Sequence, residues 1–187
     1  MCREASFVLT KTKVYWSRTS DSHEEIIAEH KLNESGTRGV NILRVEIVPP
    51  HNDYSIPARK WVFGFDQDLL PKWANKEKDE KRVRRELAKW IKAKVILPGK
   101  TIDNLQGCCA YLYGTVQNVK DGGTVQNVRD GGTVQNVGDG GTVQNVKDGG
   151  TVQNVRDGGT VQNVRNGGTK YIPAKQREND PPCNRGG

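Results

Sequence analysis

The sequence predicts an α+β N-terminal domain followed by an all-β solenoid of nonapeptide repeats, a β-helix or β-roll-like stack. Three observations carry this. A nine-residue unit, Thr-Val-Gln-Asn-Val-Lys/Arg-Asp-Gly-Gly, recurs in six copies starting at Thr115, Thr124, Thr133, Thr142, Thr151 and Thr160. A short fixed period marks a stack in which each unit touches only its neighbours. Trp16, Trp61, Trp73 and Trp90 all precede the repeats, and clustered aromatics dominate core energetics. Segments with strand and helix periodicity alternate through the first hundred residues. The expected organisation is a small α+β domain over 1–100, a solenoid over 101–172 and a disordered tail over 173–187, which has too little apolar surface to fold alone.

In the first domain, Ala5–Leu9 and Lys13–Trp16 read as two short strands joined by a turn at Lys11-Thr12. Ser22 with Glu25 fits a capping box for a helix carrying Ile26, Ile27 and Leu32, ending near Asn33–Gly36. Asn41–Val48 is strand-like, and Pro49-Pro50 stops it because proline has no amide donor. Trp61–Phe65 is another run of strand length. Lys76–Lys94 is the clearest helix: Val83, Leu87, Trp90 and Ile91 share one stripe of a 3.6-residue period. Val95–Leu97 reads as a last short strand before Pro98-Gly99. The order β-β-α-β-β-α-β implies a mostly antiparallel sheet with two helices packed on it.

In the repeats, valines at positions two and five make no core alone, but stacked copies exclude water between identical columns. Asp-Gly-Gly supplies the turns, and Gln and Asn are placed to form amide ladders. Two repeats per coil is the simplest closed arrangement. Thr101–Cys109 reads as a degenerate first unit, Ala110–Gly114 as an insertion that resets the register, and Thr169–Ile172 as a broken last unit. Only position six varies freely, as Lys120, Arg129, Gly138, Lys147, Arg156 and Arg165. Such uniformity argues against a unique pocket and for a spacer, a repetitive binding surface or an assembly element.

The formal net charge is +7; it resides in the first hundred residues and the tail, since basic and acidic residues nearly cancel within 101–169. That balance permits nucleic-acid or anionic-surface binding. No stretch reaches the roughly 20 apolar residues needed to span a bilayer, and the N-terminus lacks a secretory layout, so a cytoplasmic protein without membrane insertion is expected. Cys2, Cys108, Cys109 and Cys183 form neither a disulfide framework nor a zinc spacing and read as reduced thiols. The repeats depart from calcium-binding β-rolls, lacking the second glycine and carrying Asn for Asp. Neither a metal nor a cofactor is expected.

Candidate chemistry in the first domain is sparse, and no catalytic residue is assigned. Ser20-Asp21-Ser22-His23 gathers triad residue types, but adjacent residues do not face one another, and helix capping explains them. His23 and His30 fall about 10 Å apart on one helix side and read as a solvated face. Asp66 and Asp68, after an apolar strand, form a candidate acidic site; their commoner role is capping the turn into Leu69-Leu70-Pro71. Arg82, Arg84, Arg85 and Lys89 belong to the densest basic cluster, a candidate nucleic-acid surface with phosphate-contacting potential. Interspersed Glu and Asp at i,i+4 spacing suit an ordinary solvated helix equally.

The opening Met1–Val8, the segment Val14-Tyr15-Trp16-Ser17 with Ser22-His23, and Asp66–Pro71 resemble a family of bacterial and phage proteins in which a small N-terminal domain precedes Gly-Gly-Thr-Val-type repeats. The resemblance implies a phage or mobile-element setting and carries over no activity. The leading expectation is a non-enzymatic protein, an α+β head with a β-solenoid acting in binding, presentation or self-association through solenoid ends. The alternative is a head that binds or processes nucleic acid or nucleotide.

Overall fold

The computed structural model describes residues 5–36, 39–165 and 167–171. Cys2, Cys183, Ile172 and the tail lie outside them. The chain separates into two compact units, dividing between Val95 and Ile96.

The first unit is built on a four-stranded antiparallel sheet. Its strands are β1 (Ser6–Leu9), β2 (Val14–Tyr15), β5 (Leu43–Val48) and β6 (Val62–Phe65), in the order β2-β1-β5-β6. The β1–β2 hairpin forms as its alternation predicts, with Val8 opposite Tyr15. In β5 every second residue is buried: Leu43, Val45 and Ile47. Period-two burial is what a sheet with one packed face imposes. A two-residue ladder, β3 (Ser35–Gly36) with β4 (Gly39–Val40), precedes β5.

Helix α1 (His23–Glu29) starts where Ser22 Oγ accepts the Glu25 N–H. The reciprocal half of the capping box is absent, because the Ser22 N–H donates to Ser20 Oγ instead. The helix also stops earlier than its apolar pattern predicts. Lys31, with φ 51°, takes the left-handed position expected of a glycine near residue 36. Its N–H reaches Ala28 O, and the Leu32 N–H reaches Ile27 O, a Schellman closure. Leu32 and Ile27 both pack against the Val8–Ile26–Ile42 cluster, which holds this less favourable cap in place.

Helix α2 (Lys76–Lys94) has the bounds its periodicity predicts. Asn75 caps it by accepting the Lys78 N–H, and Asp79 accepts the Asn75 N–H at 2.8 Å. Val83, Leu87 and Trp90 bury its apolar stripe. Trp90, Trp61 and Tyr54 form an aromatic cluster with ring centroids 5.4–6.2 Å apart, the edge and offset contacts aromatic pairs prefer.

The strand expected after α2 does not join this sheet. β7 (Val95–Ile96) is the outermost strand of a solenoid sheet. That sheet continues with β9 (Cys108–Leu112), β11 (Thr124–Val128), β13 (Thr142–Val146) and β15 (Thr160–Val164). The opposite sheet holds β8 (Thr101–Leu105), β10 (Thr115–Val119), β12 (Thr133–Val137), β14 (Thr151–Val155) and β16 (Thr169–Lys170). All solenoid pairings with resolved register are parallel, with Thr115 opposite Thr133 and Thr133 opposite Thr151. One coil therefore takes two repeats, as expected.

The register overturns the reading of Ala110–Gly114 as an insertion. Cys109 stacks on Val125, Tyr111 on Asn127 and Leu112 on Val128, so Cys108–Gly114 is a second degenerate unit. It and the unit from Thr101 are each shorter than the repeat, with turns too brief for Lys-Asp-Gly-Gly. The template was masked because cysteine, tyrosine and leucine replace its residues, while their inward or outward positions persist.

The repeat strands β10 to β14 bury positions two and five. On a straight strand these would face opposite sides, so the chain bends between them. The column Ile102–Val116–Val134–Val152 and its three counterparts form the core. Burying one valine contributes at most roughly 1.5–3 kcal/mol. Asn136 and Asn154, at the bends, donate to the Gln carbonyl one coil below and to the preceding Asn Oδ1. The expected amide ladder is thus an asparagine ladder along the corner.

The two glycines of each turn serve different needs. In Lys120-Asp121-Gly122-Gly123 both central residues have positive φ, 53° and 80°, and the Gly123 N–H closes on Lys120 O at 2.8 Å. This is a type I′ turn, which Asp-Gly suits. The second glycine is required by proximity: a Cβ on Gly141 would lie 2.1 Å from Val119 O.

Candidate functional site

The structure separates the residues that the sequence groups as possible chemistry. His23 is fully buried rather than on a solvated face. Its Nε2 lies 3.1 Å from Val45 O and its Nδ1 3.1 Å from Asp66 Oδ2. Both ring nitrogens face protein acceptors, and Ser22 Oγ points elsewhere, donating to Glu24 Oε2. The imidazole ties α1 to β5 and to the end of β6.

Asp66 therefore anchors His23 rather than capping the following turn. Gln67 does the capping: its Oε1 accepts the Arg44 N–H, and its Nε2 donates to Ile42 O and Leu69 O. Asp68 is exposed. Among the described residues, no group of three His, Cys, Asp or Glu is placed to hold a metal ion.

The basic helix is divided by its own geometry. Arg82 is largely enclosed, donating to Asp79, Thr10 O and Lys13 O. Arg84 donates to Glu80, Ala58 O and Trp61 O. These guanidinium forks bind carbonyls of the β1–β2 turn and of the segment before β6, a use suited to arginine's fixed donor geometry. Lys89 pairs with Glu86 at 2.7 Å, and Arg85 is exposed. Of the four candidate cations, only these last two project into solvent.

Sequence reasoning missed a second polar lock. Lys94, nearly buried, donates to Asp21 Oδ2 at 2.8 Å and to Ser20 O, while Trp90 Nε1 donates to Asp21 Oδ1. A lysine three residues past an apolar stripe reads as solvated unless its partner, 73 residues away, is known. Near β5, Arg44 pairs with Glu24 and Glu34. The Glu34 hydrogen bond raises the Arg44 pKa, and a backbone hydrogen bond together with Ser22 lowers that of Glu24.

The solenoid presents rows rather than a cleft. Position six forms one column of Lys120, Gly138 and Arg156 and another of Arg129, Lys147 and Arg165. The backbone bonds Gly138 N–H to Val119 O and Arg156 N–H to Val137 O continue the stacking into the first column. Acidic residues of the turns neutralise part of each, as where Arg129 Nε approaches Asp148 Oδ2 to 3.9 Å. Cavities of about 220 Å³ at Gly138 and about 160 Å³ beside Lys147 and Arg165 interrupt the surface.

Burial in the valine columns falls off at the last coil. Val143, Val146 and Val152 are fully buried, whereas Val164 is 40 % exposed. β15 has β13 on one side and no strand on the other among the described residues. Cys108 and Cys109 are free thiols, and burial pushes the Cys109 thiol up to about 12. No helix among the described residues is long and apolar enough to cross a membrane. No family model, curated protein or solved structure matches this chain.

Proposed function

We propose that this is a non-enzymatic assembly and presentation protein, in which the last solenoid coil receives a second copy of the chain. The observation that carries the reading is the edge of β15, which no strand covers among the described residues and where Val164 is 40 % exposed. An unpaired strand edge offers backbone donors and acceptors to another strand. A second copy is the favoured occupant because it carries the same Thr-Val-Gln-Asn-Val strands that pair in parallel register throughout the stack. Two β15 edges related by a two-fold axis would pair antiparallel, unlike the strands within the stack, and would close the assembly as a dimer. The internal use of Arg82, Arg84 and His23 supports a structural first unit rather than a catalytic or nucleic-acid-binding one.

Light scattering on the full chain across a dilution series tests this. The expected result is a dimer that dissociates on dilution, and a monomer at all concentrations for Val164→Lys. A wild-type monomer throughout defeats the proposal. If removing residues 172–187 is what makes the chain dimerise, the tail is the native occupant instead.

A further inference from the structure

We propose that the cavity at Gly138 is a binding site for a phosphate-type oxyanion held between Lys120 and Arg156. The three residues occupy consecutive coils of one column. With strands about 4.8 Å apart, the two cationic residues stand roughly 9.6 Å apart at the backbone, and glycine leaves the middle place without a side chain. The cavity of about 220 Å³ is lined by Lys120, Gly138, Asp139 and Arg156, with Asn118 and Asn136 among the other lining residues. A tetrahedral anion in that gap accepts from an ammonium on one side and a guanidinium on the other, both strong donors to phosphate oxygens.

Arg156 has no carboxylate within salt-bridge distance among the described residues, whereas Arg129 in the other column approaches Asp148. Lys120 has only the exposed Asp121 at 3.7 Å. Asn136 Nδ2 is committed to the ladder, donating to Gln117 O and Asn118 Oδ1, and Asn118 Nδ2 donates to Asp103 O. The two cationic side chains supply the charged donors. Asp139 adds an acceptor to the lining. A phosphate retaining one proton can donate to it, and sulfate at neutral pH cannot. The ligand class is accordingly inorganic hydrogen phosphate or a singly protonated phosphomonoester.

The site is open to a gentle test, because side chains at position six are native to the fold. A Cβ on Gly138 meets only ordinary contact, 3.4 Å from Arg156 Cβ. The full chain is titrated with inorganic phosphate, sulfate and glycerol phosphate while backbone amide resonances are followed. Saturable shifts centred on Lys120, Gly138 and Arg156 are expected with phosphate and not with sulfate. Gly138→Lys abolishes them, and Arg156→Gln weakens binding roughly tenfold or more, as loss of a hydrogen bond to a charged group implies. Glycerol phosphate binding as well as phosphate upholds the site for phosphoryl groups on larger molecules; phosphate binding alone upholds it for the free ion. Unchanged titration of Gly138→Lys, equal binding of sulfate, or no localised shift overturns the proposal.

Discussion

The two units solve the problem of a core in opposite ways. The first buries unlike residues, each with its own partners: Trp90 against Trp61 and Tyr54, His23 between Val45 and Asp66, Lys94 on Asp21 and Ser20 O. The second buries valine on valine, and its fully buried side chains carry no charge. A buried polar group needs its particular partner, so unlike cores specify one arrangement and tolerate little change. A column of identical residues specifies only a repeat distance. The lesson is that individuality in the solenoid is confined to its ends and to position six.

The contrast is broken most severely in the first unit. Trp90→Ala is expected to cost about 3–5 kcal/mol, lowering the melting transition of the first unit in calorimetry while leaving a solenoid transition in place. Within the solenoid, two glycines of one coil should behave differently. Gly141→Ala forces a methyl onto Val119 O and should cost roughly 1–3 kcal/mol. Gly138→Ala, whose site is free of close backbone atoms, should be neutral or stabilising by about 0.5 kcal/mol; chemical denaturation distinguishes the two.

Position in the stack sharpens the comparison further. Asn136 donates to two acceptors and accepts from Asn154, so Asn136→Ala should cost about 1–2 kcal/mol. Asn163→Ala, at the exposed last coil, should fall within about 0.5 kcal/mol of wild type. The last effect is confined to alkaline pH. Cys109 ionises near 9.0 when exposed and near 12 when buried. Between those values the unfolded chain releases a proton that the folded chain keeps, so this contribution to stability is complete below pH 9 and declines from pH 9 to 12. Cys109→Val, which matches the Val125 stacked on it, should remove that part of the decline in denaturation curves.

Much of this was legible in advance for a physical reason. The α2 stripe and the nine-residue period are local patterns that repeat often enough to average out noise, and both fold as read. The α1 stop at Lys31 and the place of Val95–Ile96 in the solenoid depend on neighbours distant in sequence. The same holds for His23, whose acceptor on Val45 is 22 residues away. Cys108–Leu112 escaped notice because its side chains changed while its register did not. The Gly138 cavity becomes visible only when coils of 18 residues align Lys120, Gly138 and Arg156; along the chain it is one substitution among six variable positions.

The central claim is that β15 pairs with another copy, and concentration-dependent hydrogen exchange of its backbone tests it most directly. If the edge is an interface, amides of Thr160–Val164 that point away from β13 become more protected as the full chain is concentrated, while those of β11 stay constant. Exchange at the same rate across the dilution series would contradict the account and leave the last coil as an open end.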